Sequence, residues 1–125
     1  MASGKKGVKD ARFDLLPWDS IWQVARIFGF GAAKYEERNW EKGLKWSSSK
    51  AALDRHLALF WMGQDNDAES GLNHLAHVAW HALVLLAHAT RGIGDDDRPP
   101  RDERALASMD APLLNPEDIL GNHHS

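Results

Sequence analysis

The chain contains no cysteine, which removes disulfides, thiolate metal sites and thiol nucleophiles together. It has no excess of positive charge either. Its 15 basic and 18 acidic side chains leave a formal net charge of -3, so no broad positive field favours duplex nucleic acid and any phosphate chemistry must be local. The longest apolar run, residues 75–89, is interrupted by His77, His81 and His88 and falls short of the roughly 20 residues that a bilayer span requires. The opening MASGKKGVKD carries charge with no apolar stretch behind it, unlike a secretory signal. These absences predict a soluble cytoplasmic protein with no membrane and no duplex nucleic-acid partner. Common catalytic loops are missing too: there is no G-x-x-x-x-G-K-S/T, no G-x-G-x-x-G after a strand, no G-x-S-x-G, no H-E-x-x-H and no His-Asp dipeptide.

What the 125 residues do contain is helical periodicity. The length suits one domain, and no alternating strand pattern competes. Pro17-Trp18-Asp19-Ser20 supplies capping chemistry for a first helix in which Ile21, Trp22, Val24, Ala25, Ile27 and Phe28 recur at helical spacing. Gly29 and Gly31 are expected to loosen that helix, with residues 32–38 resuming as a short one before Asn39-Trp40 and the loop EKGLKW. Ser47, Ser48 and Ser49 offer an N-cap for a second helix over residues 50–62, which Gly63 stops. Asp67 or Ser70 can cap a third over residues 71–90, closed by Arg91 and Gly92.

From Gly92 the composition changes to GIGDDDRPPRDER, too charged and too rich in proline and glycine to form a core. Beyond it Leu106, Met109, Leu113, Leu114, Ile119 and Leu120 make a sparser apolar set, with Asn115-Pro116-Glu117 capping one short turn. The reading is an all-α bundle of three to four main helices over residues 1–91, followed by a charged linker and C-terminal arm over residues 92–125. Apolar residues on more than one helix face predict completion by oligomerisation, as a dimer or tetramer.

Chemistry concentrates on the third helix. His74, His77 and His81 fall at i, i+3 and i+7 with His88 two turns on, so all four lie within roughly 60° of one another. Leu72, Leu75, Ala79, Leu83 and Leu86 form a separate apolar face. A histidine stripe can be a polar half-exposed face or a seam between subunits. His74 and His77 invite a further reading, because Asp65, Asp67 and Glu69 lie just upstream. Carboxylates and imidazoles converging there could hold a divalent cation, although Asp67 alone could simply cap the helix. Asp54, Arg55 and His56 add charge and an imidazole to an otherwise apolar second helix, where such groups persist chiefly if paired or functional. Arg55 reads equally as a fork for phosphate or as the partner of a carboxylate. Together with Lys34 and Arg38, these residues suit a metal-bridged phosphate ester or anhydride.

Ordered pieces then carry a family resemblance: G-A-x-K-Y at Gly31 to Tyr35, N-W at Asn39-Trp40, R-H at Arg55-His56, D-x-E-S-G at Asp67 to Gly71, and H-x-x-H at His74 and His77. Over about residues 7–90 the chain resembles the phage-associated dATP/dGTP diphosphohydrolase domain. It is similar in architecture to the all-α, MazG-like nucleoside triphosphate pyrophosphohydrolases. That resemblance implies cleavage of the α–β anhydride of a purine deoxynucleoside triphosphate to monophosphate and pyrophosphate, with Mg2+ or Mn2+, in the cytoplasm of the host if the protein is viral. The chain departs from the MazG-like pattern of E-x-x-E on one helix and E-x-x-D on the next. Glu36, Glu37 and Glu41 miss the first, and Leu72 stands three positions after Glu69.

On this reading Glu69, Asp67, His56 and His74 surround one or two divalent ions, while Lys34 and Arg55 neutralise the phosphates. His77 orients a ligand or replaces one. Lys34 and Tyr35 with Asn39 and Trp40 form a lip for the purine, the tryptophan stacking on the base and the asparagine reading its edge. Trp40 could equally be a core aromatic. The missing carboxylate quartet keeps two other functions open: a viral protein that sequesters a nucleotide signal without cutting it, and a structural oligomer with histidines along its seam.

Overall fold

The computed structural model describes residues 10–109. Four helices and no strand occur among them: α1 (Trp18–Lys34), α2 (Trp46–Trp61), α3 (His74–Arg91) and α4 (Glu103–Met109), with 3-10 turns at Phe13–Leu15 and Asn39–Lys42. The architecture is therefore all-α. The apolar residues expected at 113, 114, 119 and 120, and the short turn capped at 115–117, lie outside the described residues.

Helix α1 runs straight through the two glycines that were expected to loosen it. A Cβ at either Gly29 or Gly31 would meet nothing within 4 Å, so neither glycine answers a packing need. The helix carries their propensity cost and continues over Ala32, Ala33 and Lys34. It ends at Tyr35, whose N–H reaches Gly31 O at 2.9 Å. No separate helix follows. Arg38 instead takes a left-handed conformation (φ 57°) and leads into the turn Asn39–Lys42.

Helix α2 starts four residues earlier than the serine caps predicted, and those serines lie inside it. Its N-terminal residue Lys45 has no capping side chain. The free N–H groups of the first turn are satisfied from elsewhere in the chain: Trp46 N donates to Asp95 O at 2.9 Å and Ser47 N to Asp97 Oδ1 at 2.9 Å. The Asp97 carboxylate thus sits where unsatisfied donors and the positive end of the helix dipole favour an anion. Asp95 N returns a bond to Leu44 O at 2.9 Å, and the Trp46 indole donates to Ile93 O at 3.0 Å. Residues 93–97, expected to be a solvated linker, are docked on the entry to α2.

Helix α3 begins at His74 rather than Gly71. Its N-cap is Asn73, whose side chain accepts from Leu75 N at 2.7 Å, while Asp67 caps the preceding turn by accepting from Ser70 N at 2.9 Å. Gly92 closes the helix in the left-handed conformation (φ 67°), a geometry that glycine adopts without steric cost. Helix α3 packs against both α2 and α1.

The interior is unusually polar. Ile27, Ala76 and Val84 are the buried apolar side chains, against buried Ser49, His56, His74, His77 and His88 among the described residues. His74, His77 and His88 of the α3 stripe therefore face inward, with His81 half-buried beside them. Its apolar stripe faces outward, with Leu75 41 %, Leu83 49 % and Leu86 59 % exposed.

Candidate metal centre

The linker QDNDAES folds back on the start of α3. Asp67 N donates to Leu72 O, Gly71 N to Asp67 O and His74 N to Asp65 O, each at 2.8 Å. These bonds fix the Asp67 carboxylate beside α3, where α2 presents His56. One atom each from His56, Asp67 and His74 lies within 4.8 Å of the other two, and no such group elsewhere among the described residues offers three donors in this way. Three of the four ligands expected from sequence are thus brought together.

The hydrogen bonds define the state of the imidazoles. His74 Nε2 lies 2.6 Å from Gln64 Oε1, an oxygen that only accepts, so His74 donates from Nε2. His56 Nδ1 lies 2.8 Å from His74 Nδ1, one of the two donating to the other. His77 Nε2 is 2.7 Å from Ser70 Oγ and 3.9 Å from Asp67 Oδ2. His56 stacks on His77 with ring centroids 4.3 Å apart and lies 5.8 Å from the His81 ring.

Burial, reinforced by His77 and Arg55, pushes His56 down to about 4, and the same causes hold His81 at about 4. His77 is lowered by burial despite the opposing pull of Asp67. For Asp67 burial acts upward, but the Ser70 N–H and hydroxyl and the neighbouring histidines outweigh it, and its pKa is lowered. Two imidazoles, that of His56 held neutral by burial, and one carboxylate make a donor set that fits a divalent cation.

Glu69, the remaining expected ligand, stands outside this trio. Its Oε2 accepts from Lys34 Nζ at 2.7 Å, an ion pair between exposed side chains that raises the Lys34 pKa. Lys34 also lies 5.3 Å from the Tyr35 ring centroid. Arg55 is exposed at the edge of the cluster, its Nη2 3.5 Å from His56 Nε2, too long for a strong bond. Of its two readings, no carboxylate pairing with Arg55 is seen among the described residues.

Trp40 is placed elsewhere. Its carbonyl accepts from His88 Nε2 at 2.7 Å, its ring meets Phe28 edge-on at 5.9 Å and Arg91 covers it at 5.4 Å. His88 lies fourteen residues after His74 on α3, about 21 Å along a helix axis. Within one chain Trp40 and the adjacent Asn39 are not brought to the His56, Asp67 and His74 trio, and the packing gives Trp40 a structural task. The sequence reading overlooked Gln64 and gave Ser70 only a capping role. Gln64 has no spacing signal, since its contact depends on how the loop turns back.

A family model described as dATP/dGTP diphosphohydrolase, N-terminal, matches residues 1–98. A dATP/dGTP diphosphohydrolase of Salmonella phage PMBT28 is 40% identical over 76 residues, which cover 61% of this chain and 26% of that protein. The chain thus spans about a quarter of the length of this curated relative. No solved structure matches it.

Proposed function

From the premise that the chain belongs to the dATP/dGTP diphosphohydrolase N-terminal family, we propose that it hydrolyses a purine deoxynucleoside triphosphate to monophosphate and pyrophosphate with a divalent cation at His56, Asp67 and His74. The observation that carries this reading is the convergence of two imidazoles and a carboxylate within 4.8 Å, with the Arg55 guanidinium at its edge. In the reaction water adds to phosphorus, the α–β anhydride P–O bond breaks, pyrophosphate leaves with the electron pair, and a proton passes to solvent. A divalent ion, when bound, supplies positive charge against the phosphate oxygens and lowers the pKa of water. Asp67 and His74 hold the position, with Ser70 and Gln64 orienting them. Lys34 reaches phosphate by exchanging Glu69 for the ligand, and Arg55 offers its fork from the rim. Tyr35, which is 65 % exposed, is the aromatic surface nearest to Lys34.

The proposal includes a second copy of the chain. With three buried apolar residues and fifteen large apolar side chains exposed among the described residues, one protomer leaves an extensive apolar surface wet. On α3 the outward residues Leu75, Ala79, Ala82, Leu86 and Ala89 recur at spacings of four and three, the seam that pairs one helix with another. Beside it a groove of about 260 Å³ between α1 and α3, lined by Val24, Leu75 and Ala79 among others, can receive a side chain from that copy.

Incubation with each deoxynucleoside triphosphate and Mn2+, followed by chromatography, tests the activity. Monophosphate and pyrophosphate from dATP or dGTP are expected. Nucleotide bound but recovered unchanged would sink hydrolysis and favour sequestration.

A further inference from the structure

We propose that the centre selects a nitrogen-preferring first-row transition dication, Zn2+, Co2+ or Ni2+ ahead of Mn2+, and discriminates against Mg2+; this deepens the hydrolytic reading and rests on it. The donor set is two imidazole nitrogens and one carboxylate. Imidazole suits Zn2+, Co2+ and Ni2+, whereas Mg2+ is held by carboxylates, phosphates and water in near-octahedral oxygen geometry.

Two acidic side chains of the same region are paired with lysines. Glu69 pairs with Lys34 at 2.7 Å and Asp54 with Lys50 at 2.6 Å. One negative charge remains in the trio, and Arg55 stands beside it. Such a site lacks the charge that Mg2+ needs to offset its dehydration.

The surroundings are those of a held ligand set rather than a chance cluster. Gln64 takes the His74 N–H that faces away from the trio, at 2.6 Å. Ser70 gives its N–H to Asp67 at 2.9 Å and its hydroxyl approaches His77 at 2.7 Å. Partners of this kind fix the ring orientation and basicity of metal-ligating histidines. The 2.8 Å contact between the two Nδ1 atoms is shorter than the edge of about 3.4 Å between nitrogens sharing a tetrahedral ion, so on binding the rings part by about half an ångström and the proton between the two nitrogens is displaced by the ion. His77 is close enough to Asp67, at 3.9 Å, to supply a further nitrogen.

Calorimetric titration of the chelator-treated full chain with ZnCl2, CoCl2, MnCl2 and MgCl2 tests the assignment without nucleotide. The expected result is Zn2+ and Co2+ binding at least ~100-fold more tightly than Mg2+, following the ligand preference, with Co2+ developing visible bands of nitrogen ligation. His74→Asn should remove the Co2+ bands. Gln64→Leu should weaken Co2+ about 10–100-fold; because it leaves the buried His74 N–H without its acceptor it also lowers the melting temperature of the metal-free chain, so affinity is read at a temperature where that chain is folded. Mg2+ binding as tight as Co2+, Co2+ affinity unaffected by Gln64→Leu and His74→Asn, or no binding of any ion would overturn the assignment. Hydrolysis is scored separately. If Mg2+ supports turnover and the histidine variant keeps its ion, the selectivity fails and hydrolysis stands; if Co2+ binds through His74 and every nucleotide survives, hydrolysis fails and the centre stands.

Discussion

His56, Asp67 and His74 sit eighteen residues apart at most, on two helices and the loop between them, so the centre depends on how that loop folds back. Asp67 is the charged member, and Asp67→Asn keeps its shape while removing the charge. Turnover should fall by at least ~100-fold, about 3 kcal/mol of transition-state stabilisation. Glu69→Gln should cost less, because Glu69 engages Lys34 rather than the trio; steady-state kinetics of the two variants side by side checks the order. Protonation gives a second expectation. His56 and His81 titrate near 4 in the folded chain against about 6.5 when unfolded. The unfolded state then binds more protons between those values, so stability is complete above about pH 6.5 and is lost progressively as pH falls toward 4. Urea midpoints at pH 7.5, 6 and 5 should decrease in that order; a flat series would contradict buried neutral imidazoles.

At the level of elements, glycines separate two kinds of backbone position. Gly29 lies inside α1 with open space where a Cβ would go, so Gly29→Ala should stabilise the chain by up to about 1 kcal/mol. Gly43 has φ 82°, and a Cβ there would lie 2.7 Å from Ile93 Cγ2 and 2.8 Å from Gly94 N. Gly43→Ala should destabilise by about 1–3 kcal/mol, because the loop before α2 and residues 93–97 approach too closely to admit a side chain. Thermal denaturation of both variants should give melting temperatures that move in opposite directions. The same close approach explains why α2 starts early. Periodicity located α1, α2 and α3, but a cap delivered by Asp97 from fifty residues away leaves no local trace, and the three serines competed for the role.

For the whole molecule the question is what covers the outward face of α3. A second copy packed along Leu75, Ala79, Ala82 and Leu86 predicts that Leu83→Glu and Leu86→Glu, exposed in one protomer, will lower the sedimentation mass to that of a monomer while leaving helical content intact. An unchanged mass would exclude α3 from the contact. Sequence alone determined the helical class, since apolar residues recur at 3.6-residue spacing and no alternating stretch exists. It also determined which side chains could carry chemistry, because His, Asp and Glu are few on otherwise apolar helices and cysteine is absent. Tertiary structure alone decided which face of α3 is the inside. Hydrophobic pattern favoured burial of the leucines, but imidazoles stacked on one another and bonded to Gln64 and Ser70 fill the contact between α2 and α3 instead. It also assigned Trp40 to packing and Glu69 to Lys34, because a helical stripe specifies direction about its own axis, whereas a ligand set requires the distance between two axes.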